Sequence, residues 1–287
     1  MKPFIGIDIT ENKKNDEING KEFVAQETSK ALYEAYDKAT DEVGGFSLKA
    51  KLPLLYRIIH GLAGVVAAGI TAGFLEAVME VDGLKSISKI YENASSMIWL
   101  CIVCWIAFGL MTYFGRQKVK KIAESDEFNH SQSKAESLSN TIYAELGVPP
   151  QAPFVDILSF QYKIKDGEIK PKGKEAKTVP FINIAFRIHS DSENLYLTEM
   201  ENKYAFSLSE IKGIKMIKER GFVQAWNKAE NFNKGKYKQY KITKNDYGYY
   251  FKHYCVLELD HNGEAWQIYF PDYDLPIVEQ ATGLKAE

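Results

Sequence analysis

Three cysteines in 287 residues are too few for a disulfide framework, and their odd number leaves at least one thiol over. Such usage fits a reducing compartment. A dominant charge of one sign is missing too. With 36 Lys and Arg against 38 Asp and Glu, the chain has no general attraction to nucleic acid. The first 50 residues carry charges throughout and no apolar core, so no cleavable leader is expected there. Signatures of chemistry are also lacking. There is no P-loop, no GxGxxG and no paired metal-binding carboxylate motif. His189-Ser190-Asp191-Ser192 has triad residue types, but sequence neighbours seldom converge on one nucleophile, and no Gly-rich elbow is present. His253 and Cys255 would share a strand face, yet two ligands do not make a zinc site. No catalytic residue, cofactor or metal is expected, and the chain reads as non-enzymatic.

What the sequence does have is a sharp segregation of apolar residues between Leu54 and Gly115. The block from Ile58 to Met79 is long enough, at 1.5 Å per residue, to span roughly 33 Å. Only His60 and Glu76 interrupt it, each within about a turn of an end, where a side chain can reach the interface. The block from Ala94 to Gly115 is uncharged, with Trp99, Trp105, Tyr113 and Phe114 as aromatic anchors. Its Cys101-x-x-Cys104 has no further ligand nearby and reads as polarizable packing. Two spans are expected. Lys49, Lys51 and Arg57 precede them, and Arg116, Lys118, Lys120 and Lys121 follow them. The connection from Glu80 to Ser95 holds only Lys85 and Lys89 against three acids. The positive-inside rule then puts both termini in the cytoplasm. In the first span Gly64, Ala68 and Ala72 recur every four residues, and Gly69 and Gly73 form a GxxxG. Such a face lets helices approach closely, either within the hairpin or in a homodimer.

The flanking regions are polar. Phe4, Ile5, Ile7 and Ile9 suggest a short strand that pairs with a sheet edge of the C-terminal region. A helix is expected from Gln26 to Val43, ended by Gly44-Gly45, and another from Lys134 to Leu146 after a polar linker, Ala123 to Ser133. From Val155 the texture becomes β. The expected strands are Val155–Lys165, Phe181–Ile188, Asn194–Thr198, Tyr204–Leu208, Ile211–Lys218, Tyr237–Thr243, Tyr250–Asp260 and Glu264–Phe270. Asn262-Gly263 calls for a type I′ hairpin, which sets Leu259 opposite Trp266, Leu257 opposite Ile268 and Cys255 opposite Phe270 on the core face. Glu258, Asp260 and Gln267 fall on the other face. Asp274 and Pro276 start a short C-terminal helix that ends near Gly283.

Asn194-Leu195-Tyr196-Leu197-Thr198, followed by Tyr204 to Ile211, resembles the short hairpin and next strand of bacterial pleckstrin-homology-like domains. The final hairpin and helix match that family too. The whole chain resembles two-span membrane proteins of Gram-positive bacteria, a resemblance that implies no activity. The expected fold is a membrane α-helical hairpin plus a cytoplasmic α+β domain, mainly antiparallel, built as a pleckstrin-homology-like roll or barrel with a C-terminal helix. The expected segments are 1–50 (strand and amphipathic helix), 51–122 (transmembrane hairpin), 123–151 (linker and helix) and 152–287 (β-rich domain).

Charge gives the one positive hint of function. From Lys203 to Lys252 there are twelve Lys or Arg and four acids, interleaved with tyrosines. Lys212, Lys215, Lys218, Lys238 and Lys241 are the candidate contacts to anionic lipid headgroups, each contributing about 1 kcal/mol when well placed. The leading expectation is a multi-pass protein of the plasma membrane whose cytoplasmic module meets a lipid surface or an unknown membrane or cytoplasmic protein, not nucleic acid. The alternatives are a small oligomeric transporter or channel subunit using His60 or Glu76, and a membrane-tethered enzyme.

Overall fold

The computed structural model describes residues 5–9, 20–80, 85–165, 168–174, 177–224, 237, 239–240, 242–245 and 247–287. In chain order the elements are β1 (Ile7–Asp8), β2 (Val24–Glu27), α1 (Lys30–Ala50), α2 (Leu54–Glu80), α3 (Lys85–Ala123), α4 (Asp126–Glu145), β3 (Phe154–Ser159), β4 (Tyr162–Lys165), β5 (Glu168–Pro171), β6 (Thr178–Ser190), β7 (Asn194–Thr198), β8 (Asn202–Ser207), β9 (Ile211–Ile217), β10 (Arg220–Gln224), β11 (Thr243–Asn245), β12 (Gly248–Phe251), β13 (Tyr254–His261), β14 (Glu264–Pro271) and α5 (Leu275–Thr282). They form two compact units, residues 34–138 and residues 1–33 with 139–287.

The helical unit contains two helices long and apolar enough to cross a membrane, with apolar stretches Leu54–Glu76 and Ser95–Ala123. Almost none of either stretch is buried; Val65, for example, is 72% exposed. Where α2 and α3 meet, polar groups pair across the seam. The His60 ring stacks on Phe108 at 4.4 Å, and its Nε2 lies 3.0 Å from Thr112 Oγ1. Trp105 Nε1–H donates to Thr71 Oγ1 at 3.0 Å, and Cys101 Sγ lies 3.4 Å from the same oxygen. His60 is thus a helix–helix contact, as polar side chains in apolar bundles commonly are. Glu76 is exposed at the end of its stretch.

The small-residue face divides. A Cβ on Gly64 would sit 3.0 Å from the Phe108 ring, whereas Gly69 and Gly73 have open space around them, and Ala68 and Ala72 are exposed. The in-chain seam therefore runs through His60, Ala63, Gly64, Ala67 and Thr71, and the GxxxG lies off it. Gly64→Leu should lower the thermal midpoint of the detergent-solubilised protein, while Gly69→Leu should leave the hairpin intact. Equal midpoints for the two variants would contradict this seam.

Helix boundaries differ from the sequence reading in three places. Val24–Glu27 is a strand, and α1 begins only at Lys30, because pairing with β8 overrides local helix preference. Gly44-Gly45 does not stop α1, which continues to Ala50 and buries Phe46 against Phe128 at 5.6 Å. Tertiary packing there outweighs a glycine cost of about 1 kcal/mol per residue. The expected linker is mostly helix. Ser125 Oγ accepts from the Phe128 amide, and Asp126 and Glu127 occupy the first turn of α4, a start marked by capping and charge rather than by apolar periodicity.

The second unit is mainly antiparallel sheet. One sheet has the order β1-β14-β13-β9, and another β11-β12-β10-β6-β7-β8-β2, with β3 also on β6 and β4-β5 a separate hairpin. Only β6 and β10 run parallel among the paired strands described. The β1 strand pairs antiparallel with β14, Ile7 opposite Gln267, as the sequence suggested. Ile5, Ile7 and Phe23 join the main core, so the described residues before Glu34 belong with the C-terminal domain. The Asn262-Gly263 turn has φ of 53° and 84°, and all three cross-strand pairs of β13 and β14 occur in the expected register. Their six side chains are at most 2% exposed.

Other strands depart from expectation. Val155–Lys165 is two strands, and β5 and β10 are additional. Tyr250–Asp260 breaks at Lys252-His253, and a strand begins only at Thr243, not Tyr237. Asp274 does start α5, but its carboxylate accepts from the Asp156 amide at 2.7 Å instead of capping the helix. Gly283, at φ 73°, ends α5.

Candidate functional site

Strand direction builds a basic cleft at one end of the larger sheet. Because β6 and β10 are parallel, with Thr178 opposite Arg220, both begin at that end. Because β12 is antiparallel to β10, with Phe251 opposite Gly221, it finishes there. Lys177 just before β6, Arg220 opening β10 and Lys252 just after β12 are therefore gathered from three distant places in the chain. Lys174, Lys218 and His253 complete the basic wall of a cleft of about 690 Å³.

The floor is apolar. Phe251 is 1% exposed and stacks on Phe181 at 5.8 Å. Gly221 permits this closeness, since a Cβ there would lie 2.2 Å from the Phe251 ring. The one carboxylate of the lining among the described residues, Glu219, is engaged by Lys174 Nζ at 2.7 Å and by the Tyr254 hydroxyl at 3.4 Å. The described lining thus carries five Lys or Arg and one Glu. Arg220 lies over the Tyr250 ring at 4.3 Å, which fixes the guanidinium without a carboxylate. Among the described residues, Lys177, Lys218 and Lys252 have no carboxylate partner. Lys177 adopts φ 64°, a left-handed conformation that a lysine rarely takes.

At the rim, His253 Nδ1 stands 3.5 Å from Asp272 Oδ2. Burial holds the Asp272 carboxyl above the usual carboxylate range, with His253 opposing. Deeper in the domain, the Tyr273 hydroxyl donates to Asp156 Oδ2 at 2.6 Å and lies 3.1 Å from the Tyr249 hydroxyl. Burial pushes both phenols upward. This network pins β3, β12 and the turn before α5 together.

The described candidate lipid contacts, Lys212, Lys215 and Lys218, do not form one patch. On β9, Lys215 pairs with Glu258 at 2.7 Å and Lys212 approaches Asp260 at 4.0 Å, across to β13. Of the three described, only Lys218 reaches the cleft. Lys238 and Lys241 lie outside the described residues. Lys174, Lys177, Arg220 and Lys252 were not singled out from the sequence. Arg220 and Lys252 sit within the counted basic stretch, but only the parallel β6–β10 pairing brings the other two beside them.

The triad residue types do not assemble. Asp191 accepts from the Glu193 and Asn194 amides and the Tyr196 hydroxyl, which hold its carboxyl below the usual range, and His189 stacks on Tyr196 at 4.9 Å. Cys255 is fully buried, and burial pushes its thiol up to about 12. No group of three metal-ligating side chains occurs among the described residues. Comparison with protein families, curated proteins and solved structures finds no match.

Proposed function

We propose that the chain is a two-span integral protein of the plasma membrane with both termini in the cytoplasm. Its β domain, of pleckstrin-homology-like build, is a non-enzymatic module that binds an anionic partner or surface. The observation that carries this reading is the pairing of β1 and β2 into the domain that also holds β3 to β14. Two helices apolar enough to cross a bilayer lie between those segments. An even number of crossings keeps both halves of the domain on one side; a single crossing would part them. The seven flanking Lys and Arg against two in the connection favour the cytoplasm for that side. The antiparallel strands and terminal helix α5 support the pleckstrin-homology-like build, and the parallel β6–β10 pair is its main departure.

Topology is tested with single cysteines at Ser86 and Ser133 in a chain whose Cys101 and Cys104 are replaced by alanine. Cys255 can remain, because its buried thiol resists modification. An impermeant maleimide applied to intact cells should label Ser86→Cys, and should label Ser133→Cys only after lysis. Labelling of Ser133→Cys in intact cells would overturn the orientation. Release of the protein from membranes by alkaline carbonate would overturn the spans.

A further inference from the structure

We propose that the basic cleft at the shared end of β6, β10 and β12 binds a small anion carrying two or more phosphate groups. The inference deepens the reading of the β domain as a binding module and rests on that reading, but not on the membrane crossings. Among the described lining residues five Lys or Arg face one Glu, and that Glu is already held by Lys174. Like charges gathered in one concavity focus a positive potential that attracts a counter-anion. Among the described lining residues the excess is four positive charges, and a phosphomonoester carries about two negative charges near neutrality. Two phosphate groups therefore match the cleft, whereas one carboxylate or sulfate does not.

Geometry supports the same class. A volume of about 690 Å³ lies in the range of small-ligand sites, in a cleft half open to solvent. Arg220 is laid against Tyr250 and needs no carboxylate to fix it, so its N–H groups suit phosphate oxygens. The Tyr250 ring is also packed by Phe222 at 4.6 Å, and Phe251 forms the buried floor. Phe251 has no exposed face on which to stack a nucleobase, and Arg220 already lies over the Tyr250 ring, which favours a phosphate-dense ligand over one that relies on stacking. Lys177 is held at φ 64° at the rim, and non-glycine residues in such conformations concentrate at ligand-binding positions.

The test uses the full chain in detergent and in lipid nanodiscs. Inorganic tripolyphosphate is titrated by calorimetry against the wild type and against a triple variant, Lys177→Asn, Arg220→Gln and Lys252→Gln. All three positions are exposed, and asparagine tolerates the left-handed backbone at position 177. A thermal melt of the variant confirms its fold, and Lys212→Gln, outside the cleft, serves as the control. Tripolyphosphate should bind the wild type and the control alike, at least tenfold more tightly than sulfate, and at least tenfold more weakly in the triple variant. Nanodiscs of phosphatidylcholine with and without a bisphosphorylated inositol lipid distinguish the source. Binding only to the phosphorylated headgroup, lost in the triple variant, supports the same site with a lipid-borne ligand. Equal binding by wild type and a folded triple variant, or no binding of either phosphate probe, would overturn the proposal. Release of orthophosphate from tripolyphosphate, abolished in the triple variant, would support the site while overturning the non-enzymatic reading of the domain.

Discussion

Trp266→Ala should lower the stability of the β domain by about 3–5 kcal/mol, a large part of what a typical domain possesses. Trp266 is 2% exposed, lies opposite Leu259 in the hairpin and meets the Phe23 ring edge-on at 5.0 Å. Its Nε1–H is buried without a hydrogen-bond partner, so part of its packing gain is already offset by a desolvated donor. Trp266→Phe should accordingly cost much less than Trp266→Ala. The neighbouring Gln267 points to the other face, where a plain surface residue would cost within about 0.5 kcal/mol. Gln267 is not plain: its amide donates to Glu258 at 3.1 Å and accepts from the Tyr269 hydroxyl at 2.6 Å. Gln267→Ala should cost about 1–2 kcal/mol, because it leaves the Tyr269 hydroxyl without that acceptor. Hydrogen exchange of the β13 and β14 amides in the full chain measures each variant. A Gln267→Ala effect larger than that of Trp266→Ala would mean that the register is wrong by one residue.

That hairpin was legible because its determinants are local. Asn262-Gly263 dictates the turn, the turn dictates the register, and the period of two then sorts core from surface. The apolar spans were legible for a similar reason, since length and composition alone mark them. Elements whose existence depends on distant partners were not. Arg220-Gly221-Phe222-Val223-Gln224 is short and mixed in character, and becomes β10 only between β6 and β12. Gly44-Gly45 looks like a helix end until Phe46 is seen against Phe128. The basic cleft was half legible. The charge excess from Lys203 to Lys252 pointed to an anionic partner, but Lys212 and Lys215, chosen from it, meet Asp260 and Glu258 on β13. Lys174 and Lys177 enter through a parallel strand pair, and no local pattern announces that pairing.

Removing residues 1–28 should unfold the β domain, although its sequence from β3 onward would be complete. Ile5 and Ile7 are 0% exposed and Phe23 is 3% exposed, all three within the main core. Phe23 sits among Phe206 at 4.7 Å, His261 at 4.7 Å and Trp266 at 5.0 Å. Phe23→Ala alone should cost about 3–5 kcal/mol, and truncating either isoleucine about 2–5 kcal/mol. Losing all three together with β2 exceeds the margin of about 5–15 kcal/mol on which domains stand. The loss also uncovers the outer edges of β14 and β8, where β1 and β2 pair, and unpaired edges invite aggregation. A chain beginning at Ser29 should therefore show a protease-sensitive β domain in isolated membranes, while its apolar helices remain embedded. The Phe23→Ala chain should keep a resistant core with a lower melting midpoint. A truncated chain that melts like the full one would show that β1, Phe23 and β2 are an accessory layer. It would also remove the argument that folding of this domain requires both flanks of the helical hairpin to meet on one side of the bilayer.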